Sequence, residues 1–158
     1  MKTLIVMSSV PGAGKSTWCR RYKESHDNCH IISSDAVRFE LTGSYQDFSK
    51  QALVWETFEK RIHEYANISE DVTVILDALC DLNSLRIKYA KEAVEYDKKI
   101  LVVIHKKFEE ISKYNKKRKE EQWVPDHILE MLYNKFEPLS DEARNLYDEV
   151  IEINDYFD

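Results

Sequence analysis

The segment Ser9-Val10-Pro11-Gly12-Ala13-Gly14-Lys15-Ser16-Thr17 follows a short apolar run near the start of the sequence. It matches the phosphate-loop pattern G-x-x-x-x-G-K-[ST], except that Ser9 stands where the first glycine is usual. Only three glycines occur in the 158 residues, and two of them lie in this segment. The segment therefore predicts a loop whose backbone N–H groups surround a phosphate, followed by a helix that presents its positive N-terminus to the same anion.

The residues of this loop have separate expected roles. The predicted phosphate-contacting residues are Pro11, Gly12, Ala13, Gly14, Lys15, Ser16 and Thr17. Lys15 would place a positive charge at the β- and γ-phosphates, and the Ser16 hydroxyl would bind Mg²⁺. A chance Gly-Lys-Ser at a helix start is the alternative, but the preceding strand, the following helix and the scarcity of glycine favour binding of a nucleoside triphosphate.

Apolar, β-branched runs alternate with amphipathic stretches along the chain. The predicted strands are 3–8, 29–33, 72–77, 99–105 and 149–154. The predicted helices are 15–24, 47–66, 85–96 and 108–122, and a further one opens at Pro125. This alternation predicts an α/β fold with a five-stranded parallel sheet and helices on both faces, in a single domain over residues 1–158.

Composition excludes several classes of protein. Charged residues make up 33% of the chain, and no apolar run approaches the roughly 18 residues that cross a membrane. Three cysteines without Cys-x-x-Cys spacing predict reduced thiols rather than disulfides or a zinc site. The apolar run at the N-terminus leads directly into the phosphate loop, which favours a core strand over a signal peptide. We therefore expect a cytoplasmic protein.

Phosphate binding alone does not distinguish a kinase from a GTPase or a motor. The guanine-reading pattern Asn-Lys-x-Asp does not occur, and the chain is too short for the helical lid domain of a ring-forming ATPase. A small kinase is therefore the simplest use of the loop.

Two charged residues follow the second predicted strand. Asp35 lies at the strand end and Arg38 one helical turn later, so both can face the crevice at the carboxyl edge of the sheet. The carboxylate can accept the proton of an attacking hydroxyl, and the guanidinium can hold the acceptor or a neighbouring phosphate. The alternative is an ordinary helix start in which Asp35 caps the helix and pairs with Arg38.

The third predicted strand ends at Asp77. A Walker-B aspartate, which orients Mg²⁺, has the same position at the end of a strand. A loop-capping role is the alternative for this residue. Arg86, nine residues later, is expected to form a surface ion pair on its helix rather than to contact an acceptor.

A strongly basic stretch precedes Val124 and Pro125. Residues 106–119 hold seven basic and two acidic side chains, in a chain whose net charge is −6. This predicts a lid at about 108–124 that folds over the nucleotide and places Arg118 on the transferring phosphoryl group. A solvated basic helix face is the alternative. Trp123, beside the lid, is expected to pack rather than to stack on a base.

Taken in order, these motifs resemble those of the 5′-hydroxyl polynucleotide kinase family of P-loop kinases. The matching stretches are 10–18, 34–38, the strand ending at Asp77 with Arg86 after it, 115–118, and Val124-Pro125 with Ile128 and Met131. The resemblance covers nearly the whole chain and implies a P-loop kinase fold. It also implies that Asp35 is the general base on a nucleic-acid 5′-OH, that Arg38 positions the acceptor end, and that Arg118 stabilises the γ-phosphoryl group.

Two stretches depart from that family. Asp77-Ala78-Leu79-Cys80 replaces the usual Asp-Ala-Thr-Asn or Asp-Thr-Asn, and Tyr114 stands where a basic residue commonly precedes the lid asparagine. Both departures touch the substrate side of the site.

The sequence is thus interpreted as an ATP- and Mg²⁺-dependent kinase whose acceptor is the 5′-OH end of DNA or RNA. The main alternative is a small-molecule kinase acting on a nucleoside, sugar or antibiotic, because the same loop, base and lid serve any alcohol. A third interpretation is an accessory ATPase that hydrolyses ATP slowly and signals to a protein partner.

Overall fold

Five strands of the chain pair within one sheet in the computed structural model, which describes residues 1–10 and 12–154 apart from the Gln122 side chain. The strands are β1 (Lys2–Ser8), β2 (Cys29–Ser33), β3 (Val72–Asp77), β4 (Lys98–Ile104) and β5 (Glu149–Ile153). Their spatial order is β2-β3-β1-β4-β5, and every neighbouring pair is parallel. Because β1 is central, the phosphate loop leaves the middle of the carboxyl edge of the sheet, where ligands of such sheets bind.

Both faces of this sheet are covered. Along β1, Leu4 and Val6 belong to one buried cluster, while Ile5 and Met7 belong to another on the opposite face. All four are fully buried. This is why the strands appear in the sequence as nearly continuous apolar runs rather than as alternating ones, and it confirms the predicted α/β fold.

The helices occupy the connections between the strands. They are α1 (Lys15–Ser25), α2 (Ser34–Thr42), α3 (Gln51–Ala66), α4 (Asn83–Glu92), α5 (Phe108–Asn115), α6 (Asp126–Lys135) and α7 (Asp141–Arg144), with a 3-10 helix at Glu120–Gln122. Within residues 1–10 and 12–154, none of these helices combines the length and the apolar character that a membrane span requires.

The predicted continuous helix over 108–122 is wrong, because α5 ends at Asn115. The Asn115 side chain donates to the carbonyl of Val124 at 2.8 Å and accepts from its N–H at 3.1 Å. These two bonds close the loop over 116–123, which a continuous helix would prevent. Continuation of the helix would also stack like charges one turn apart, such as Lys113 and Lys117.

Two other predicted helix boundaries are wrong. The predicted helix at 47–66 begins at Gln51, because the Asp47 carboxylate accepts from the Ser49 N–H at 2.9 Å and forms a turn there. The predicted helix at 85–96 is instead α4, which begins at Asn83 and ends at Glu92.

Candidate active site

The phosphate loop joins β1 to α1 and packs against α5. Gly12 and Gly14 have positive φ values of 81° and 91°, in the left-handed region that favours glycine. A Cβ on Gly12 would lie 2.6 Å from the carbonyl oxygen of Ile111 in α5. Gly12 therefore permits both the turn and the close approach of α5. Pro11, a predicted phosphate contact, lies outside the described residues.

Lys15, Ser16 and Asp77 meet where the phosphate loop faces the end of β3. The Lys15 ammonium donates to one oxygen of the Asp77 carboxylate, and the Ser16 hydroxyl donates to the other at 3.1 Å. Burial alone would lower the pKa of Lys15, but the carboxylates of Asp77 and Asp35 outweigh it, so this pKa lies above its ordinary value. Lys15 is therefore a fixed positive charge at the loop.

The oxygen atoms of Ser16 and Asp77 suit Mg²⁺. Mg²⁺ is commonly held by one or two protein oxygens together with substrate phosphates and water, rather than by an all-protein cage. Among the described residues, no group of three or more His, Cys, Asp or Glu side chains is arranged to hold a metal. The Ser16 hydroxyl and the Asp77 carboxylate therefore fit a Mg²⁺ ion whose coordination the triphosphate would complete.

Asp35 lies between two arginines from different elements. In α2, Arg38 donates to one Asp35 oxygen at 2.7 Å and to the Gln51 side chain at 3.0 Å. Arg118, from the predicted lid, lies 3.8 Å from the other Asp35 oxygen. The Asp35 carboxylate is partly exposed, whereas the Arg38 side chain is almost fully buried. The structure thus brings together three of the predicted catalytic residues.

The cap of α2 differs from the alternative considered for Asp35. The Ser33 hydroxyl accepts from the Ala36 N–H at 3.2 Å and caps the helix. Asp35 lies in the first turn instead, where its carboxylate is directed to the arginines.

The predicted lid is attached to both sides of the cleft. Tyr114 shares a 2.8 Å hydrogen bond with Thr17 of the phosphate loop. On the other side, Gln46 in the α2–α3 loop donates to the Trp123 carbonyl at 2.9 Å. The Trp123 indole N–H donates to the Arg118 carbonyl at 2.8 Å while the ring stays partly exposed. Trp123 therefore supports the backbone that carries Arg118.

The expectation of a surface ion pair at Arg86 is wrong, because this side chain is fully buried. Its guanidinium donates to the Ser8 hydroxyl at 3.0 Å, the Asn83 side chain at 2.7 Å and the Glu137 carbonyl at 2.8 Å. The ring of Phe136 lies 5.0 Å from it. Arg86 thus connects β1, α4 and the segment after α6. Its role is structural, at the end of the strand that leads into the phosphate loop.

Sequence reasoning missed several residues that shape this cleft. Gln51 holds Arg38, Gln46 holds the lid, and Phe48 lies over the Arg38 guanidinium at 4.5 Å. None belongs to a short motif, and no local signal marks them. A cavity of about 260 Å³ also lies beside the phosphate loop at Val10 and the end of β4, rather than over Asp35.

The chain is similar to several known proteins. A family model described as an AAA domain matches residues 4–139. A chain of the solved Pnkp1/Rnl/Hen1 RNA repair complex superposes with a TM-score of 0.70 at 24% identity, over 93% of this chain and 46% of the other. Kti12 from Chaetomium thermophilum, in complex with ADP-AlF3, has a TM-score of 0.68 at 21% identity, over 96% of this chain and 88% of the other.

A gluconokinase from Sinorhizobium meliloti 1021 has a TM-score of 0.63 at 17% identity, over 96% of this chain and 82% of the other. No curated protein matches the chain. Together with the sheet order, these structures show a P-loop kinase-like fold.

Proposed function

The chain belongs to the AAA domain family, and within it we propose an ATP- and Mg²⁺-dependent kinase that phosphorylates the 5′-OH end of a polynucleotide. The observation that carries the proposal is the position of Asp35 between Arg38 and Arg118. One domain over residues 1–158, with a lid at about 108–124 and a cytoplasmic location, is part of the same proposal.

The donor side of the reaction falls to the phosphate loop. Lys15 would exchange its carboxylate partner for the β- and γ-phosphates of ATP, which leaves Asp77 and Ser16 to hold Mg²⁺. Bound there, the metal supplies neutralisation of the charge on the phosphate oxygens. The chain's own contribution is alignment, because phosphoryl transfer needs mainly positioning and electrostatic stabilisation from the protein.

The acceptor side falls to Asp35 and its two arginines. The Asp35 carboxylate would accept the proton of the attacking hydroxyl, and Arg38, held by Gln51, would contact the phosphate next to that hydroxyl. Arg118 would move from Asp35 to the transferring phosphoryl group, where an arginine stabilises the charge of the transition state.

Exposed lysines around Arg118 favour a polynucleotide over a small alcohol. Lys113, Lys117 and Lys119 are exposed on the same segment. Exposed cations beside an acceptor site can track a phosphate backbone, and they make the affinity for a strand fall as salt rises. The similarity to a chain of an RNA repair complex supports the same acceptor class.

The test is transfer of labelled γ-phosphate from ATP, with Mg²⁺, to a 5′-OH oligonucleotide. A 5′-phosphorylated strand and a panel of nucleosides and sugars serve as acceptor controls. Asp35→Asn should abolish transfer, whereas Asp71→Asn, at an exposed carboxylate by the amino end of β3, should not. Transfer by Asp35→Asn at the rate of the unmodified protein would contradict the role of Asp35.

A small-molecule kinase is the second candidate, and the superposed gluconokinase favours it. It predicts label on a small alcohol and no competition from single-stranded oligonucleotides. Hydrolysis of ATP without transfer to any acceptor would instead indicate an accessory ATPase.

A further inference from the structure

An exposed aromatic ring lies beside the proposed general base. The Phe48 ring covers the Arg38 guanidinium at 4.5 Å, and that guanidinium contacts Asp35 at 2.7 Å. Phe48 is nevertheless 56% exposed. One face of the ring is thus held by a buried cation, while a large apolar surface remains in solvent next to the cleft.

The loop that carries Phe48 is fixed rather than loose. The Asp47 carboxylate accepts from the Ser49 N–H, and Gln46 bonds to the Trp123 carbonyl across the cleft. Lys50 donates to the Leu41 carbonyl at 3.2 Å, which ties the end of this loop to α2. A ring held in this way loses little conformational entropy when a ligand stacks on it.

We propose that Phe48 is the stacking platform for the base of the acceptor's 5′-terminal nucleotide; this rests on the proposed function and extends it to a nucleoside-recognition subsite. The 5′-hydroxyl and the base are carried by the same sugar, so a hydroxyl at Asp35 places its base near that carboxylate. The Phe48 ring lies over the same guanidinium that donates to Asp35.

A phenyl ring stacks on any base and does not distinguish one base from another. Stacking uses the π-face that every base presents, so stacking on Phe48 needs no hydrogen-bonding side chain nearby. A strand end of any sequence would therefore bind, which suits an enzyme that acts on 5′ ends rather than on a specific site. A sugar without a base would lose this contact.

The experiment is a double-mutant cycle between the ring and the base. Steady-state kcat/KM is measured for a 5′-OH oligonucleotide and for the same strand whose 5′-terminal nucleotide lacks its base. Removing the base should lower kcat/KM about tenfold with the unmodified protein, as should Phe48→Ala on the intact strand. On Phe48→Ala, removal of the base should have no further effect, because the partner ring is already absent.

Two further variants separate stacking from support of Arg38. Phe48→Trp keeps a stacking face and should restore kcat/KM to within about twofold of the unmodified protein. Phe39→Ala is the matched control, because Phe39 is an exposed ring on α2 that stacks on Tyr45 instead of on Arg38. It should leave kcat/KM for both strands unchanged.

The outcomes separate failure of the Phe48 subsite from failure of the proposed polynucleotide kinase function. If Phe48→Ala lowers kcat/KM equally for both strands, the ring only supports Arg38 and the subsite is overturned, while the kinase assignment stands. If the unmodified protein labels neither strand but labels a small alcohol, the polynucleotide function fails and the subsite fails with it.

Discussion

Two glycines with nearly the same backbone conformation provide a test of the contact between the phosphate loop and α5. Gly12 has φ of 81° and Gly43 has φ of 79°. A Cβ on Gly12 would lie 2.6 Å from the Ile111 carbonyl oxygen, whereas a Cβ on Gly43 would meet nothing within 4 Å. Gly12→Ala and Gly43→Ala therefore differ in steric contact and not in backbone strain.

The expected magnitudes follow from that difference. Placing alanine in the left-handed region costs about 1 to 2 kcal/mol at either position. Alanine also stabilises by about 0.4 to 1 kcal/mol through the unfolded chain, and this contribution cancels when the two variants are compared. Overpacking against Ile111 adds about 1 to 3 kcal/mol for Gly12→Ala alone, because the neighbouring Ile111 carbonyl is backbone and cannot rotate away.

The assay is urea unfolding of the unmodified protein and both variants without nucleotide, so that loss of ligand binding does not enter. Gly12→Ala should lower the free energy of unfolding by about 1 to 3 kcal/mol more than Gly43→Ala does. Equal losses would show that the phosphate loop does not rest against α5 in solution, and would refute the reasoning.

Three other predictions concern buried and lid residues. Arg86→Met should lower the free energy of unfolding by about 3 to 5 kcal/mol in urea titrations, since three acceptors lose their donor. Lys88→Ala, at a partly exposed ion pair, should cost less than about 1 kcal/mol, and equal losses would contradict the structural role of Arg86. Arg118→Ala should lower the kcat of γ-phosphate transfer by about 10³ or more while Lys117→Ala changes it little, and a near-normal kcat would remove Arg118 from the mechanism. Burial raises the pKa of Cys80 to about 12, so its neutral thiol stabilises the fold below its ordinary pKa of 9.0 and this stabilisation is lost as pH rises from there to about 12. Cys80→Ala should therefore flatten the decline of unfolding free energy above about pH 9 by up to about 1.4 kcal/mol per pH unit, and an unchanged slope would contradict it.

The sheet could be predicted from the sequence almost residue by residue. The predicted strands at 29–33 and 72–77 coincide with β2 and β3. The predictions for β1 and β5 differ by one residue at one end, and the prediction for β4 differs by one residue at each end. Strands buried on both faces produce dense β-branched runs, which are local signals. The phosphate loop is similarly local, since its glycines and lysine are consecutive in sequence.

The parts that could not be predicted depend on distant contacts. The burial of Arg86 follows from the Glu137 carbonyl, 51 residues away, which no periodicity within α4 reveals. The end of α5 follows from the bonds between Asn115 and Val124 across a loop. Phe48 likewise lies on Arg38 because of the path of the α2–α3 loop. In each case a polar or aromatic side chain is placed by tertiary structure, so its sequence neighbours carry no signal.

The charged groups of the site are already paired with one another, and this pairing bears on how substrates would bind. Lys15 is paired with Asp77, and Arg118 lies by Asp35. Both side chains that would contact the triphosphate therefore already face a carboxylate. Lys15 and Asp77 are largely buried, and an unpaired buried charge costs several kcal/mol. On the proposed function, a triphosphate would therefore replace Asp77 at Lys15 only as the metal pairs with Asp77. On the proposed function, the replacement releases Asp77 toward the metal and Asp35 toward the acceptor hydroxyl. Movement of Arg118 to the phosphoryl group would then leave the second Asp35 oxygen facing the acceptor hydroxyl alone, which couples readiness of the acceptor site to the presence of the donor.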